Sequence, residues 1–368
     1  MQPPIESATG VEVLLCGRRY VSFAGCDSLG LARHPEVIAA AQAALSSCGL
    51  GASASRTTTG TWTQHVAAEK SLAAWLSEED AVLLAGGYVA AAALARTLVP
   101  ECDQVLLDAG AHPALRDAAR LTGLPVREFP HFDARSAAAA VPSRPLVLTD
   151  AVDVAAGALA PLRALASLAA KRRGHLVVDD AHGVGVLGPG GRGTVAVLRA
   201  GGPHVHVAGS LSKALGAHGG FVAGTRDLCD RVRATFPAYA GATPVPPSTA
   251  AAVAVAIHLA SNGDALRRSL RANSVLLARR FRALGLTAPR AGLPWFSVAG
   301  RPARELRAVS SALTRDGFLV PHLTYFGAPR GGYLKIALTA AHERRHVEAL
   351  AASLARHLGA ASGPRVAR

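Results

Sequence analysis

From residue 81 onward, short apolar runs alternate with helical periods. AVLLAGG precedes YVAAAALARTLV, DQVLLDAG precedes HPALRDAARLTG, and RPLVLTDA precedes LRALASLAAKRRG; HLVVDDAHG and HVHVAGSLSKALG follow. Short apolar runs of this kind suit strands buried on both faces, and strands separated by helices pair in parallel. This pattern predicts an α/β fold with a mostly parallel sheet covered by helices on both sides.

The flanks read differently. VEVLLCGRRYVSF (11–23) alternates around a Gly-Arg turn and predicts a β-hairpin. HPEVIAAAQAALSSCG (34–49) and QHVAAEKSLAAWLS (64–77) have helical period, the first stopping at a glycine. Beyond about residue 250 come a long Ala-rich helix, LPWFSVAG, a helix over 302–315, GFLVP, YLKIALT and a closing helix over 342–358. The expected organisation is an N-terminal hairpin segment (1–33) packing with a small C-terminal α/β domain (256–368), around a large domain over 34–255.

Half of the 368 residues are hydrophobic, enough for two packed cores. No run of about 18 apolar residues escapes charges and turns, so no transmembrane helix is predicted. MQPPIESATG has neither a basic nor an apolar leader region, so no secretory signal is expected. The five cysteines, Cys16, Cys26, Cys48, Cys102 and Cys229, lack CxxC spacing, which argues against a disulfide framework or structural zinc and for a reducing cytoplasm. The net charge of +14 comes mainly from scattered arginines, with only four lysines: Lys70, Lys171, Lys213 and Lys335. Without a basic tract or aromatic enrichment, this favours a phosphate-bearing ligand over nucleic acid.

Ligands of doubly wound sheets collect at the carboxyl ends of strands. HLVVDDAHG delivers Asp179, Asp180 and His182 to such an edge, and HVHVAGSLSK delivers Ser210, Ser212 and Lys213. An acid and a hydroxyl-flanked lysine at successive strand ends suit pyridoxal 5'-phosphate (PLP). The lysine can form an imine with the aldehyde, the acid can keep the pyridine nitrogen protonated, and hydroxyls and amides can take the phosphate. Two other patterns are weaker. Gly188, Gly190 and Gly193 spell GxGxxG, but no acid follows about 20 residues on, as a dinucleotide site requires. His204 and His206 share a strand face without further ligand spacing, so no metal site is expected.

The chain resembles the α-oxoamine synthases, fold-type I PLP enzymes that include 8-amino-7-oxononanoate synthase, 2-amino-3-ketobutyrate CoA ligase, 5-aminolevulinate synthase and serine palmitoyltransferase. The resemblance runs from about residue 10 to 358 and rests on YVSFAGCDSLGLARHPEV, GASASRTTTGTWTQHVAAE, DDAHGVGVLGPGGRGT, GSLSKALGAHGG, ATPVPP and LTAAHE. It implies a seven-stranded, mostly parallel sheet in the large domain. It also implies Lys213 as the Schiff-base lysine, Asp179 at the pyridine nitrogen, His182 at the phenolic oxygen and His112 stacked on the ring. Gly87 and Tyr88 would offer amides to the phosphate, with Ser210 and Ser212 beside them. Thr243 would reach the phosphate of a neighbouring subunit's cofactor, making the active unit a homodimer with shared sites.

The pattern breaks at several positions. Cys26 stands where the family has an asparagine near the substrate, and Lys335, in Tyr333-Leu334-Lys335, replaces the arginine that grips the substrate carboxylate. Val154 replaces a serine, Ala156 replaces an acid, and the family's helical N-terminal extension is missing. The implied reaction is condensation of an amino acid with an acyl thioester, on CoA or an acyl carrier protein, commonly with decarboxylation and here with an altered amino-acid pocket. The competing readings are transamination, racemisation or aldol-type chemistry on the same scaffold, or a non-catalytic partner subunit. Retention of Lys213, Asp179, His182 and His112 argues against the last.

Overall fold

The computed structural model describes residues 4–139, 143–290, 292–324 and 328–359. They fall into two compact units, one of residues 31–152 and 159–264, the other of the N-terminal segment to residue 30, 153–158 and the chain from 265 onward.

The larger unit is built on the expected seven-stranded sheet. Its strands are β1 (Asp80–Leu84), β2 (Gln104–Asp108), β3 (Val126–Phe129), β4 (Pro145–Asp150), β5 (His175–Asp179), β6 (Val205–Ser210) and β7 (Gly220–Gly224), in the order β1-β7-β6-β5-β4-β2-β3. All neighbours are parallel except β7, which is antiparallel to both β6 and β1. The apolar runs are buried on both faces. Val105, Leu146, Leu148 and Val177 pack on the alanine-rich helix Gly87–Leu98, while Leu106, Val147 and Val178, pointing the other way, are equally buried. A helix of alanines can lie close to a sheet, and its Ala90–Ala95 segment is almost entirely buried. Parallel register sets Asp179 beside Asp150 and beside Ala208, so the carboxyl ends of β4, β5 and β6 form one edge.

At the opposite end of β5 and β6 lie the two histidines of the HVH run. His206 Nε2 lies 2.9 Å from His175 Nδ1, His175 Nε2 lies 3.1 Å from Glu101, and His204 Nδ1 lies 2.7 Å from the carbonyl of Gly174.

In the smaller unit the N-terminal hairpin forms as Glu12–Leu15 and Arg18–Ser22, with Ser7–Thr9 added on one side and Phe318–Leu319 on the other. Its turn is Cys16-Gly17 rather than Gly-Arg: Leu15 pairs with Arg18, and both turn residues have positive φ, 48° and 70°. Two positive φ values are the signature of the tight turn that matches strand twist, and glycine takes the second without strain. A second sheet holds Trp295–Val298, Tyr333–Ala337 and His322–Leu323, with Tyr333–Ala337 central. The histidine of LTAAHE locks this unit: His342 stacks on Phe23 at 4.2 Å, its Nδ1 accepts from the Thr339 amide, and its Nε2 is 3.1 Å from the Ser22 carbonyl. Burial pushes its pKa down to about 4, so the ring stays neutral.

Candidate active site

The carboxyl edge of the large sheet gathers most of the predicted residues. Helix Gly87–Leu98 starts directly after β1, and its N-terminus presses against the end of β6. A Cβ on Gly87 would lie 2.6 Å from the Ser210 Cβ, and one on Gly220 would run into the carbonyl of Gly86. Only glycines permit this approach. The first amides of a twelve-residue helix therefore lie beside Ser210, whose Oγ is 2.8 Å from the Ser212 Oγ and accepts from the Ser212 amide. Helix amides and two hydroxyls at one point make an anion cradle. Tyr88 turns its side chain away, donating to Asp117 at 2.5 Å, with its ring edge-on to His112 at 6.1 Å, so only its backbone is available to the cradle.

His112 caps helix Pro113–Leu121: its Nδ1 accepts from the Ala114 amide. Burial first, then the nearby charge of Lys213, lowers its pKa, which keeps the ring neutral and apolar-faced. Its own amide donates to Asp150 Oδ2 at 2.7 Å.

Asp179 ends β5, with Oδ1 accepting from the Ala181 amide at 3.0 Å. Burial pushes its pKa up to about 6, against the opposing pull of that amide and of Lys213. Its register partner Asp150 is raised well above the usual carboxylate range, by burial first and then by the Asp179 charge. The sequence pattern missed Asp150; only the pairing of β4 with β5 brings it to the site. Two desolvated carboxylates side by side disfavour their own ionisation and are relieved by a cation. A protonated pyridine nitrogen is such a cation, so this edge fits PLP on charge as well as on its anion cradle.

Lys213 is half-buried in the tight loop after β6, where Gly216 donates to its carbonyl and Leu211 bonds to Gly219 and Ala217. Its charge acts on both His112 and Asp179, which puts lysine, histidine and acid around one space. His182 lies in the turn that follows Asp179. Thr243 is exposed between helices Pro237–Gly241 and Pro247–Ser261, in a segment pinned where His65 Nε2 meets the Val245 carbonyl at 2.7 Å.

The DDAHGxGxxGxxGRGT motif has a structural cause. Asp180 is buried and its carboxylate accepts from both the amide and the hydroxyl of Thr194, at 2.6 and 2.7 Å. A Cβ on Gly183 or Gly193 would collide with that carboxylate, so both must be glycine for the loop to close over it. The third glycine of the GxGxxG pattern is thus explained by Asp180, not by a dinucleotide. Gly183→Ala should overpack this clamp, losing about 3 kcal/mol and lowering the melting temperature by roughly 6–12 °C. Scanning calorimetry checks it; an unchanged melting temperature would contradict the clamp.

The two predicted substrate residues lie in the smaller unit and meet each other. Lys335 is on the central strand Tyr333–Ala337, opposite Ser297, and only 8% exposed; its Nζ donates to Cys26 Sγ at 3.3 Å. Near the two departures at Val154 and Ala156, the Asp153 carboxylate accepts from the amides of Ala155 and Ala156, and Val154 is half-buried.

Comparison with known proteins agrees with these motifs. Residues 19–354 match the family of class I and II aminotransferases. The 8-amino-7-oxononanoate synthase of Xylella fastidiosa is 35% identical over 359 residues, covering 96% of this chain and 90% of the relative. That of Maricaulis maris is 37% identical over 346 residues, 92% and 86% of the two chains. A solved serine palmitoyltransferase from S. paucimobilis, carrying bound PLP–myriocin, superposes with a TM-score of 0.91 at 24% identity over 96% of this chain and 92% of its own. This chain belongs to the class I and II aminotransferase family and, within it, to the α-oxoamine synthases.

Proposed function

We propose that this chain joins an amino acid to an acyl thioester, using PLP as cofactor. The observation that carries the reading is the buried, register-paired Asp179 and Asp150, with the charge of Lys213 acting on Asp179, beside a helix-terminal anion cradle. When bound, PLP supplies an electron sink for a carbanion at the amino acid's α-carbon. Lys213 would hold the cofactor covalently, and its Nζ would take the α-proton of the amino acid. Asp179 keeps the pyridine nitrogen protonated, and Asp150 supports it electrostatically while fixing His112 through the His112 amide. Neutral His112 would offer a flat apolar face to the ring, and His182 would bond the ring's phenolic oxygen. Gly87, Tyr88, Ser210 and Ser212 take the phosphate. Thr243 serves the phosphate of a second subunit, so the active unit is a homodimer, and its place of action is the cytoplasm. Among the described residues no helix is long and apolar enough to cross a membrane.

The amino acid's carboxylate is taken by Lys335. A lysine is a point charge with three rotatable donors and specifies less geometry than a two-pronged arginine. Cys26 replaces an amide donor with a small, weakly polar wall. This suits an amino acid larger or differently charged than glycine or alanine. Lys335→Ala should raise the KM for the amino acid about 30- to 1,000-fold, equivalent to about 2–4 kcal/mol, with a smaller change in kcat. A KM like that of the wild type, or tight turnover of plain glycine or alanine, would overturn the assignment.

A further inference from the structure

We propose that Cys26 and Lys335 are a redox-sensitive pair: oxidation by a hydroperoxide ties Sγ to Nζ and withdraws the lysine's charge. The site rests on three observations. Lys335 is buried yet its ammonium bonds to a sulfur, a weak acceptor, at 3.3 Å. Cys26 is half-buried, so a small peroxide can reach it. Both ends are fixed: the Ser28 amide closes a short turn on the Cys26 carbonyl at 2.8 Å, and Lys335 sits in a central strand opposite Ser297 with its amide on Pro321. Two reactive atoms held this close react as if at very high concentration.

The other cysteines lack this arrangement. Burial pushes the thiols of Cys102 and Cys229 up to about 12, which leaves them inert. Cys48 meets the amide of Gln64 and the hydroxyl of Ser47, neither a nucleophilic amine, and Cys16 is exposed at the hairpin turn.

The chemistry balances. The Cys26 sulfur attacks one peroxide oxygen, giving a sulfenic acid and water. Lys335, losing its extra proton, attacks that sulfur through Nζ, and the hydroxyl leaves as water. The sum is thiol, ammonium and one peroxide going to an S–N link, two waters and a proton. A second peroxide can instead retain an oxygen between sulfur and nitrogen: sulfenic acid, ammonium and peroxide give an S–O–N link, two waters and a proton. Two equivalents of an external thiol reverse the S–N link, restoring Cys26 and Lys335 and forming a disulfide between the reductant molecules.

The consequence for activity rests on the assignment of Lys335 to the substrate carboxylate; the link itself does not. The test is to treat folded holoenzyme with hydrogen peroxide, digest it without reductant and map the peptides. The expected product joins the Cys26 peptide to the Lys335 peptide, lighter than their sum by two hydrogens, or heavier than that product by one oxygen. It should be absent from Cys26→Ser and from Lys335→Arg, which keeps the charge but has no amine. Cys26 recovered as sulfinic acid with no link to Lys335, or the link at equal yield in urea-unfolded protein, would overturn the proposal. A link that forms while activity persists supports the pair, and instead removes Lys335 from the substrate's carboxylate.

Discussion

Lys213→Ala is expected to lower kcat/KM by on the order of 10⁴-fold, because one side chain does two things. In the proposed roles it holds the cofactor and moves the α-proton, and a positioned general base alone contributes up to about 10⁴. The fold should survive, since Lys213 is half-buried in a loop held by backbone bonds between Leu211, Gly216, Ala217 and Gly219. Borohydride reduction of the wild type should fix cofactor mass on the peptide containing Lys213 and on none containing Lys70, Lys171 or Lys335. Full activity in Lys213→Ala, or the reduced adduct on another lysine, would sink the assignment.

Asp179→Asn should separate activity from stability. Asparagine keeps the shape and can still accept the Ala181 amide, but it cannot pair with a pyridinium, so kcat should fall roughly 10²- to 10³-fold. In the cofactor-free protein the same change should stabilise. The Asp179 carboxyl goes from an ordinary value of 3.8 to about 6 on folding, so its burial is free of penalty below 3.8 and grows unfavourable as pH rises through 6. Asparagine removes that penalty, up to about 3 kcal/mol at pH 8. The cofactor-free variant should melt above the wild type at pH 8 and close to it near pH 4. A lower melting temperature at pH 8, or an unchanged kcat, would show that Asp179 does not await a cation.

What the sequence made legible follows from which forces are local. The strands of the large sheet announce themselves because burial on both faces demands unbroken apolar runs, as in Leu176, Val177 and Val178, and a polar residue closing such a run, as Asp179 does, marks the sheet's edge. β7 was not picked out in the sequence: GFVAG is short and bracketed by glycines, and its antiparallel placement between β6 and β1 depends on which strands lie beside it. Asp150 was invisible as a site residue because TDA becomes chemistry only when register sets it against Asp179. Gly183 and Gly193 of DDAHGVGVLGPGGRG could be seen as part of a pattern but not explained, since their cause is the carboxylate of Asp180 folded back on the loop. Cys26 and Lys335 stand out as departures from a family pattern, but their direct contact, across 309 positions, appears only in the folded chain.

In the proposed reaction, one site uses Lys213 and Asp179 to bond an amino acid's α-carbon to an acyl group. The most direct measurement incubates the PLP-loaded enzyme with acyl-CoA and a panel of amino acids while following free CoA thiol and the amino acid together. Thiol release is expected to require both substrates, to stop in Lys213→Ala, and to match amino acid consumed one for one. Conversion of the amino acid to its keto acid or its mirror image, with no thiol released, would contradict it.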